Sequence, residues 1–187
     1  DQLCAAYGGI NDIEMVAYPH AHVSQIKLPP KISWELEERL ALIYLGQAHS
    51  SSSVHEKVIT ELEAAGPDCQ QLNDLRLTAP KSRQALQKGD FKALGQAMIE
   101  NTEAQKRLHP DLISTDAKTV IGIAKEHGAL GWKVNGAGGD GGSLTLLCGS
   151  NRAAKRAMLR EIEAENGAFQ VISIRLDTHG LHVWDSP

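Results

Sequence analysis

Residues 132–147 contain five glycines within seven positions, and a short apolar run lies on each side of them. Glycine adopts positive φ angles without penalty and lets a ligand approach the backbone closely. A loop this rich in glycine can also turn several N–H groups toward one point and form an anion-binding concavity. A plain hairpin needs only two turn residues, so the excess of glycine favours a binding or shaping role over a simple turn.

Nucleotide binding of the Rossmann kind is one interpretation of this loop. Gly136, Gly138 and Gly141 have the GxGxxG spacing of that motif. The motif requires a helix directly after the glycines, because the N-terminus of that helix holds the pyrophosphate. Here residues 144–148 follow, and this run is apolar and too short for a helix. The context therefore argues against a Rossmann fold.

The loop resembles the third motif of the GHMP kinases, the superfamily that includes galactokinase, homoserine kinase and mevalonate kinase. In that family the C-terminal glycine loop is roughly Lys-x-x-Gly-Ala-Gly-Gly-Gly-Gly and leads into a strand. The matching positions are Lys133, Gly136, Ala137, Gly138, Gly139 and Gly141. Asp140 departs from the pattern, since it stands where a glycine is usual. The resemblance implies that residues 136–142 shape the substrate cleft, with N–H groups that face phosphate or support the nucleotide loop.

The first nine residues have the pattern Asp-Gln-x-x-Ala-x-x-Gly-Gly. Their small side chains are compatible with a helix that ends at the glycine pair. The segment is similar to one in the GHMP sugar kinases that carries the catalytic aspartate as its first residue. This resemblance implies that Asp1 orients or deprotonates the sugar hydroxyl, whereas the alternative is a solvated aspartate without a catalytic role.

A serine cluster at residues 50–53 is typical of a helix N-terminus, because hydroxyl groups accept from the unpaired N–H groups there. The same region resembles the Tyr-Thr-Gly-x-x-Arg-x-Ser-Ser segment of the heptose phosphate kinases. Leu45 replaces the threonine of that pattern, and His49 replaces its arginine. The resemblance implies substrate contacts from His49, Ser51 and Ser52, and the lost arginine leaves the identity of the substrate open.

Hydrophobic periodicity predicts a helix at 54–65 and a second one that Pro80 interrupts or kinks and that ends at 88–89. A third helix is predicted to start with Asp90 as its cap, a fourth opens at Ser114 or Thr115 and stops at Gly128, and a fifth lies at 151–166. Strands are predicted at 12–16, 22–28, 40–45, 130–134, 144–148, 172–176 and 181–184. This order of elements predicts an α+β fold with a mainly antiparallel sheet. The resemblance implies a ferredoxin-like layer of helices on a four-stranded sheet. It also implies that residues 1–30 end an N-terminal kinase domain and cross into a C-terminal domain at 31–187.

The bulk properties exclude several classes of protein. A net charge of −4 and a pI near 6.1 give no general attraction to nucleic acid or anionic membranes, and neither is an expected partner. Three widely spaced cysteines suit a reducing compartment, so a cytoplasmic location is expected. His20 and His22 supply too few ligands for a metal site, and none is predicted from this chain.

The resemblance covers nearly the whole chain and is strongest to sugar 1-kinases related to heptose 7-phosphate kinase and L-fucokinase. It implies the C-terminal part of an ATP-dependent kinase acting on a hydroxyl of a sugar or sugar phosphate. The family's main ATP loop, Pro-x-x-x-Gly-Leu-x-Ser-Ser-Ala, is not found among these 187 residues. ATP and Mg²⁺ are therefore expected to bind mainly to a preceding domain of a longer polypeptide, and the chain begins at Asp1 as such a piece would.

That preceding domain and the substrate are the expected partners, and a homodimer is a further option. The isolated chain is expected to be inactive. Two other classes stay open on the sequence alone: a non-catalytic domain of the same fold that binds a small molecule, and a domain that serves a partner subunit.

Overall fold

A computed structural model describes residues 2–17, 19–46, 58–60, 62, 69–136, 138–139 and 141–184. The elements are helix α1 (Gln2–Tyr7), strands β1 (Asn11–Ala17) and β2 (His20–Gln25), helix α2 (Pro30–Arg39), strand β3 (Leu40–Tyr44), helices α3 (Gln70–Lys88), α4 (Phe91–Leu108) and α5 (Thr115–Glu126), strands β4 (Gly131–Val134) and β5 (Ser143–Leu147), helix α6 (Arg152–Glu165) and strand β6 (Gln170–Ile172). A 3₁₀ turn, Pro110–Leu112, joins α4 to α5. Residues 58–60 are also helical, and most of the helix predicted at 54–65 lies outside the described residues.

Four of the strands form one antiparallel sheet in the order β4-β5-β3-β6. The central strand β5 pairs with β4 on one side and with β3 on the other. Within the described part of the chain, strands β1 and β2 pair with each other alone, as a separate antiparallel hairpin. The α+β class and the layer of helices on a four-stranded antiparallel sheet are thereby confirmed.

Each face of the four-stranded sheet carries its own core, because successive side chains of a strand point to opposite faces. On one face the fully buried Ile43, Leu144 and Leu146 pack with residues of α5 and α6. On the other face Leu147 packs with residues of α2, α3 and α4. The sheet is therefore held between two helical layers.

The predicted helix starts at Asp90 and Ser114 are confirmed by their capping bonds. Asp90 accepts from the N–H of Ala93 at 3.0 Å, and Ser114 accepts from the N–H of Ala117 at 3.1 Å. Each bond satisfies a backbone donor that the first turn of a helix leaves unpaired. Pro80 lies inside α3 and does not end it. No helix within the described part of the chain is long and apolar enough to cross a membrane.

Two of the predicted strands are wrong: the strand at 172–176 reaches too far along the chain, and the strand at 181–184 does not form. Strand β6 ends at Ile172, and the described residues 173–184 form no strand. Lys155 donates from Nζ to the carbonyl of Leu40 at 2.7 Å, and the N–H of Leu176 donates to the Glu37 carboxylate at 2.8 Å. In the register of β6 with β3, residue 174 would face Leu40, the first residue of β3, and residue 176 would face helix α2. A strand that reaches 176 therefore has no partner strand at its end, and Lys155 occupies the carbonyl of Leu40.

Candidate functional site

The glycine loop, residues 135–143, is fixed at its base by Asn135. The N–H of Asn135 donates to the carbonyl of Ser143 at 3.0 Å, and its Nδ2 donates to Ser143 Oγ at 3.0 Å. Its Oδ1 accepts from Thr145 Oγ1 at 3.0 Å. Because these bonds join the end of β4 to the start of β5, they set the width of the loop.

All the described glycines of the loop have positive φ. The angles are 62° at Gly136, 67° at Gly138, 84° at Gly139, 89° at Gly141 and 76° at Gly142. The left-handed region costs residues with a Cβ roughly 1–2 kcal/mol each. The repeated glycine is therefore required by the backbone conformation.

The middle of the loop lies directly on the turn that joins α4 to α5. A Cβ placed on Gly138 would lie 1.8 Å from the carbonyl oxygen of Leu112. The N–H of Gly139 donates to the same oxygen at 3.2 Å, and Ile113 and Gly139 form a parallel bridge. No side chain fits between these two backbones, so this contact positions the loop against the helical layer.

Two further bonds hold the ends of the loop. The N–H of Leu45, directly after β3, donates to the carbonyl of Gly142 at 2.9 Å. Gln105 of α4 donates from Nε2 to the carbonyl of Gly136 at 2.9 Å. The loop is thus held by α4, the turn after it, the end of β3 and strand β5.

The described N–H groups in the middle of the loop are used inside the protein. Gly138 donates to the carbonyl of Asn135 at 3.4 Å, and Gly139 donates to that of Leu112. These two N–H groups are therefore already paired within the protein in this conformation.

Lys133 of β4 places a cationic side chain near the start of the loop. Its Nζ donates to the carbonyl of Val134 at 2.9 Å. Burial lowers the pKa of Lys133, since removal from water penalises the charged ammonium. Among the described residues no carboxylate forms an ion pair with it.

The remaining predicted site residues lie outside the described residues: Asp1, His49, Ser51, Ser52, Ala137 and Asp140. Their predicted roles stay predictions. The structure does describe four of the predicted loop residues, and all four lie in the glycine loop: Gly136, Gly138, Gly139 and Gly141.

Helix α1, which follows Asp1, is held by elements other than those that hold the loop. The N–H of Gly9 donates to the carbonyl of Asp177 at 2.8 Å, and the N–H of Leu181 donates to that of Ala6 at 3.0 Å. A Cβ on Gly180 would lie 2.1 Å from the carbonyl oxygen of Ala6. Backbone contact with residues 177–181 therefore fixes the C-terminal end of α1.

Gln105 and Asn135 belong to the site, and the sequence analysis did not find them. A weak signal for Gln105 exists, because Asn101, Thr102 and Gln105 place polar groups on the otherwise apolar stripe of α4. Thr102 and Gln105 are buried in the structure. A polar residue on the buried face of a helix has to find a hydrogen-bond partner, and that partner is set by tertiary contacts.

No group of three or more His, Cys, Asp or Glu side chains among the described residues could form an all-protein metal site. Magnesium at phosphoryl-transfer sites is usually held by one or two carboxylates together with substrate phosphates, so this finding concerns all-protein sites alone. No step that involves the metal is assigned to the described residues.

Comparison with known proteins gives a family match and a set of relatives. The family model for the C-terminal domain of the GHMP kinases matches residues 82–167. The chain is 22% identical over 184 residues to the D-glycero-alpha-D-manno-heptose 7-phosphate kinase of Campylobacter jejuni, with 98% of this chain and 52% of the relative covered. It is 27% identical over 176 residues to the bifunctional fucokinase/GDP-fucose pyrophosphorylase of Arabidopsis thaliana, with 91% of this chain and 16% of that protein covered. The chain thus spans about half of the first relative and a smaller part of the second.

Among solved structures, a D-glycero-D-manno-heptose 1-phosphate kinase from Bacteroides thetaiotaomicron has the same fold. Its TM-score is 0.68 at 20% identity, with all of this chain and 48% of that chain covered. The family match includes α4, the turn after it, the whole glycine loop and strand β5, whereas the end of β3, which also holds the loop, lies before it. Over residues 82–167 this chain is therefore similar to the C-terminal domain of the GHMP kinases.

Proposed function

We propose that this chain is the C-terminal part of an ATP-dependent GHMP kinase that phosphorylates a hydroxyl of a sugar or sugar phosphate. The observation that carries the proposal is the glycine loop, in which five positive-φ glycines are held by hydrogen bonds from several elements. Phosphoryl transfer depends almost entirely on positioning and electrostatic stabilisation. A backbone loop that is fixed before the substrate arrives suits that chemistry.

The substrate class follows from the relatives. The curated relatives are named as a heptose 7-phosphate kinase and a fucokinase, and the chain aligns with both over more than nine-tenths of its length. A sugar or sugar phosphate is therefore the proposed acceptor. His49 stands in place of the arginine of the heptose phosphate kinases, and we propose that this change makes the preferred substrate differ from theirs.

Exposed apolar side chains support a further domain in the same polypeptide. Val16 of β1 is 63% exposed, and Leu181, Val183 and Trp184 are 75%, 84% and 79% exposed. Three of these side chains lie within four residues of the sequence, and clusters of exposed apolar side chains mark candidate contact surfaces. We propose that a preceding kinase domain covers these residues and supplies most of the contacts to ATP and Mg²⁺.

The full-length gene product that contains this sequence provides the test. Release of ADP is measured with D-glycero-D-manno-heptose 7-phosphate, L-fucose, mevalonate and homoserine. Turnover with a sugar or sugar phosphate is expected, and Asp1→Asn is expected to lower kcat by roughly 10²-fold or more, because an amide cannot take the hydroxyl proton. Turnover with only mevalonate or homoserine would contradict the substrate class. Sugar binding in calorimetry without any ADP release would instead indicate a non-catalytic binding domain.

A further inference from the structure

Gln105 has a buried side-chain amide in which one of the two polar atoms is hydrogen bonded. Gln105 is 7% exposed, and its Nε2 donates to the carbonyl of Gly136. Its Oε1 is buried and accepts no hydrogen bond from the described residues. A buried amide oxygen without a donor destabilises the folded state. An apolar side chain at this position would avoid that penalty and would lose only the bond to Gly136.

The direction of this bond follows from the chemistry of its partner. A backbone carbonyl only accepts hydrogen bonds, so the amide has to present its nitrogen to Gly136. Around Gly136 the structure is open, since a Cβ placed there would have no heavy atom within 4 Å. No side chain packs against Gly136 on that side, and the bond from Gln105 is the described side-chain contact to its carbonyl.

We propose that Gln105 is a positioning residue for the proposed kinase reaction. It holds the carbonyl of Gly136 and thereby sets where the glycine loop lies in the substrate cleft. The inference rests on the proposed function, because it assigns a role in the same site.

The chain offers a matched control one helical turn earlier. Asn101 also lies on α4, and its Nδ2 donates to Thr78 Oγ1 of α3 at 2.8 Å. Its Oδ1 is likewise buried without a described partner. The two side chains share their chemistry and their half-satisfied state, but Asn101 bonds to a helix and Gln105 bonds to the loop.

The test compares Gln105→Glu with Asn101→Asp in the full-length gene product. A carboxyl group donates a hydrogen bond only when it is protonated, and burial raises its pKa. In Gln105→Glu we expect kcat/KM to fall about tenfold at high pH, equivalent to about 1.4 kcal/mol, and to recover as the pH is lowered. In Asn101→Asp the pH profile should keep the parental shape, even if the variant is less stable.

Other titrating groups are common to both variants. They include Lys133 of β4, His109 directly after α4, Asp111 of the 3₁₀ turn, and Asp74 of α3, which pairs with Arg107 at 2.9 Å. The comparison with Asn101→Asp separates the effect of the new carboxyl group at position 105 from theirs. A parental pH profile in Gln105→Glu, or the same pH-dependent loss in Asn101→Asp, would overturn the assignment.

A second measurement separates this inference from the proposed function. Hydrogen exchange of the full-length protein is compared in Gln105→Met and Asn101→Leu. Faster exchange at the amides of Asn135 and Gly139 in Gln105→Met alone would support loop positioning, even if the parental protein phosphorylates no sugar. Equal protection of these amides in both variants would overturn it.

Discussion

Replacement of Gly138 by alanine is expected to strain the loop in two separable ways. The positive φ of 67° costs an alanine roughly 1–2 kcal/mol. The new Cβ would also lie 1.8 Å from the carbonyl oxygen of Leu112, more than an ångström closer than real contacts come. If that oxygen moves, its hydrogen bond from Gly139 is lost, at a cost of about 1 kcal/mol.

Gly136→Ala isolates the first of these effects. Gly136 has a similar φ of 62°, but a Cβ there has open space around it. We expect Gly136→Ala to lower the free energy of unfolding by about 1–2 kcal/mol and Gly138→Ala to lower it by about 3 kcal/mol or more. At this chain length the difference corresponds to several degrees in Tm.

Thermal unfolding followed by circular dichroism measures both variants, and ADP release in the full-length protein measures the effect on the site. Gly138→Ala should also lose more activity than Gly136→Ala, since it displaces the loop from its support at Leu112. Equal Tm values for the two variants would refute the reasoning, because only one of them meets a backbone oxygen.

Three further predictions concern Lys133, the cysteines and the isolated chain. Burial lowers the pKa of Lys133 below its usual 10.5, so the unfolded chain binds that proton more tightly than the folded chain does. The charged lysine therefore destabilises the folded state, and this destabilisation disappears as the pH rises from the folded-state pKa toward 10.5. Lys133→Met should therefore raise Tm at pH 7 by a margin that shrinks at alkaline pH, and a constant margin would contradict this. Cys4 is exposed, Cys69 and Cys148 are buried, and burial raises the pKa of the Cys148 thiol. One thiol of the folded chain should therefore react rapidly with Ellman's reagent, and the other two should react only after denaturation. Rapid reaction of all three thiols would contradict this burial. The 187-residue chain alone should show no measurable kinase activity and weak binding of Mg-ATP, and micromolar affinity in calorimetry would contradict that expectation.

Local signals in the sequence were sufficient for much of the fold. The caps at Asp90 and Ser114 depend on a side chain and an N–H group three residues later, so the sequence contains both partners. The positive φ angles of the loop were predictable in the same way, because glycine is the residue that adopts them freely.

Contacts between distant segments could not be predicted from these signals. The support of Gly139 by the carbonyl of Leu112 is a backbone interaction, and no side chain marks it in the sequence. The alternation at 172–176 predicts a strand, but it does not show that Lys155 occupies the sheet edge at Leu40. Pairing depends on which groups remain available after the helices pack.

The junction between α1 and residues 177–181 has a consequence for the order in which the protein forms during synthesis. The ribosome adds roughly 5–20 residues per second, so on the order of ten seconds separates the appearance of Gly9 from that of Asp177. During that interval α1 lacks the backbone partners that hold its end. The segment that follows the proposed catalytic base is therefore among the last to be locked in place, and a nascent chain that stops before residue 177 leaves it undocked and accessible to chaperones and proteases.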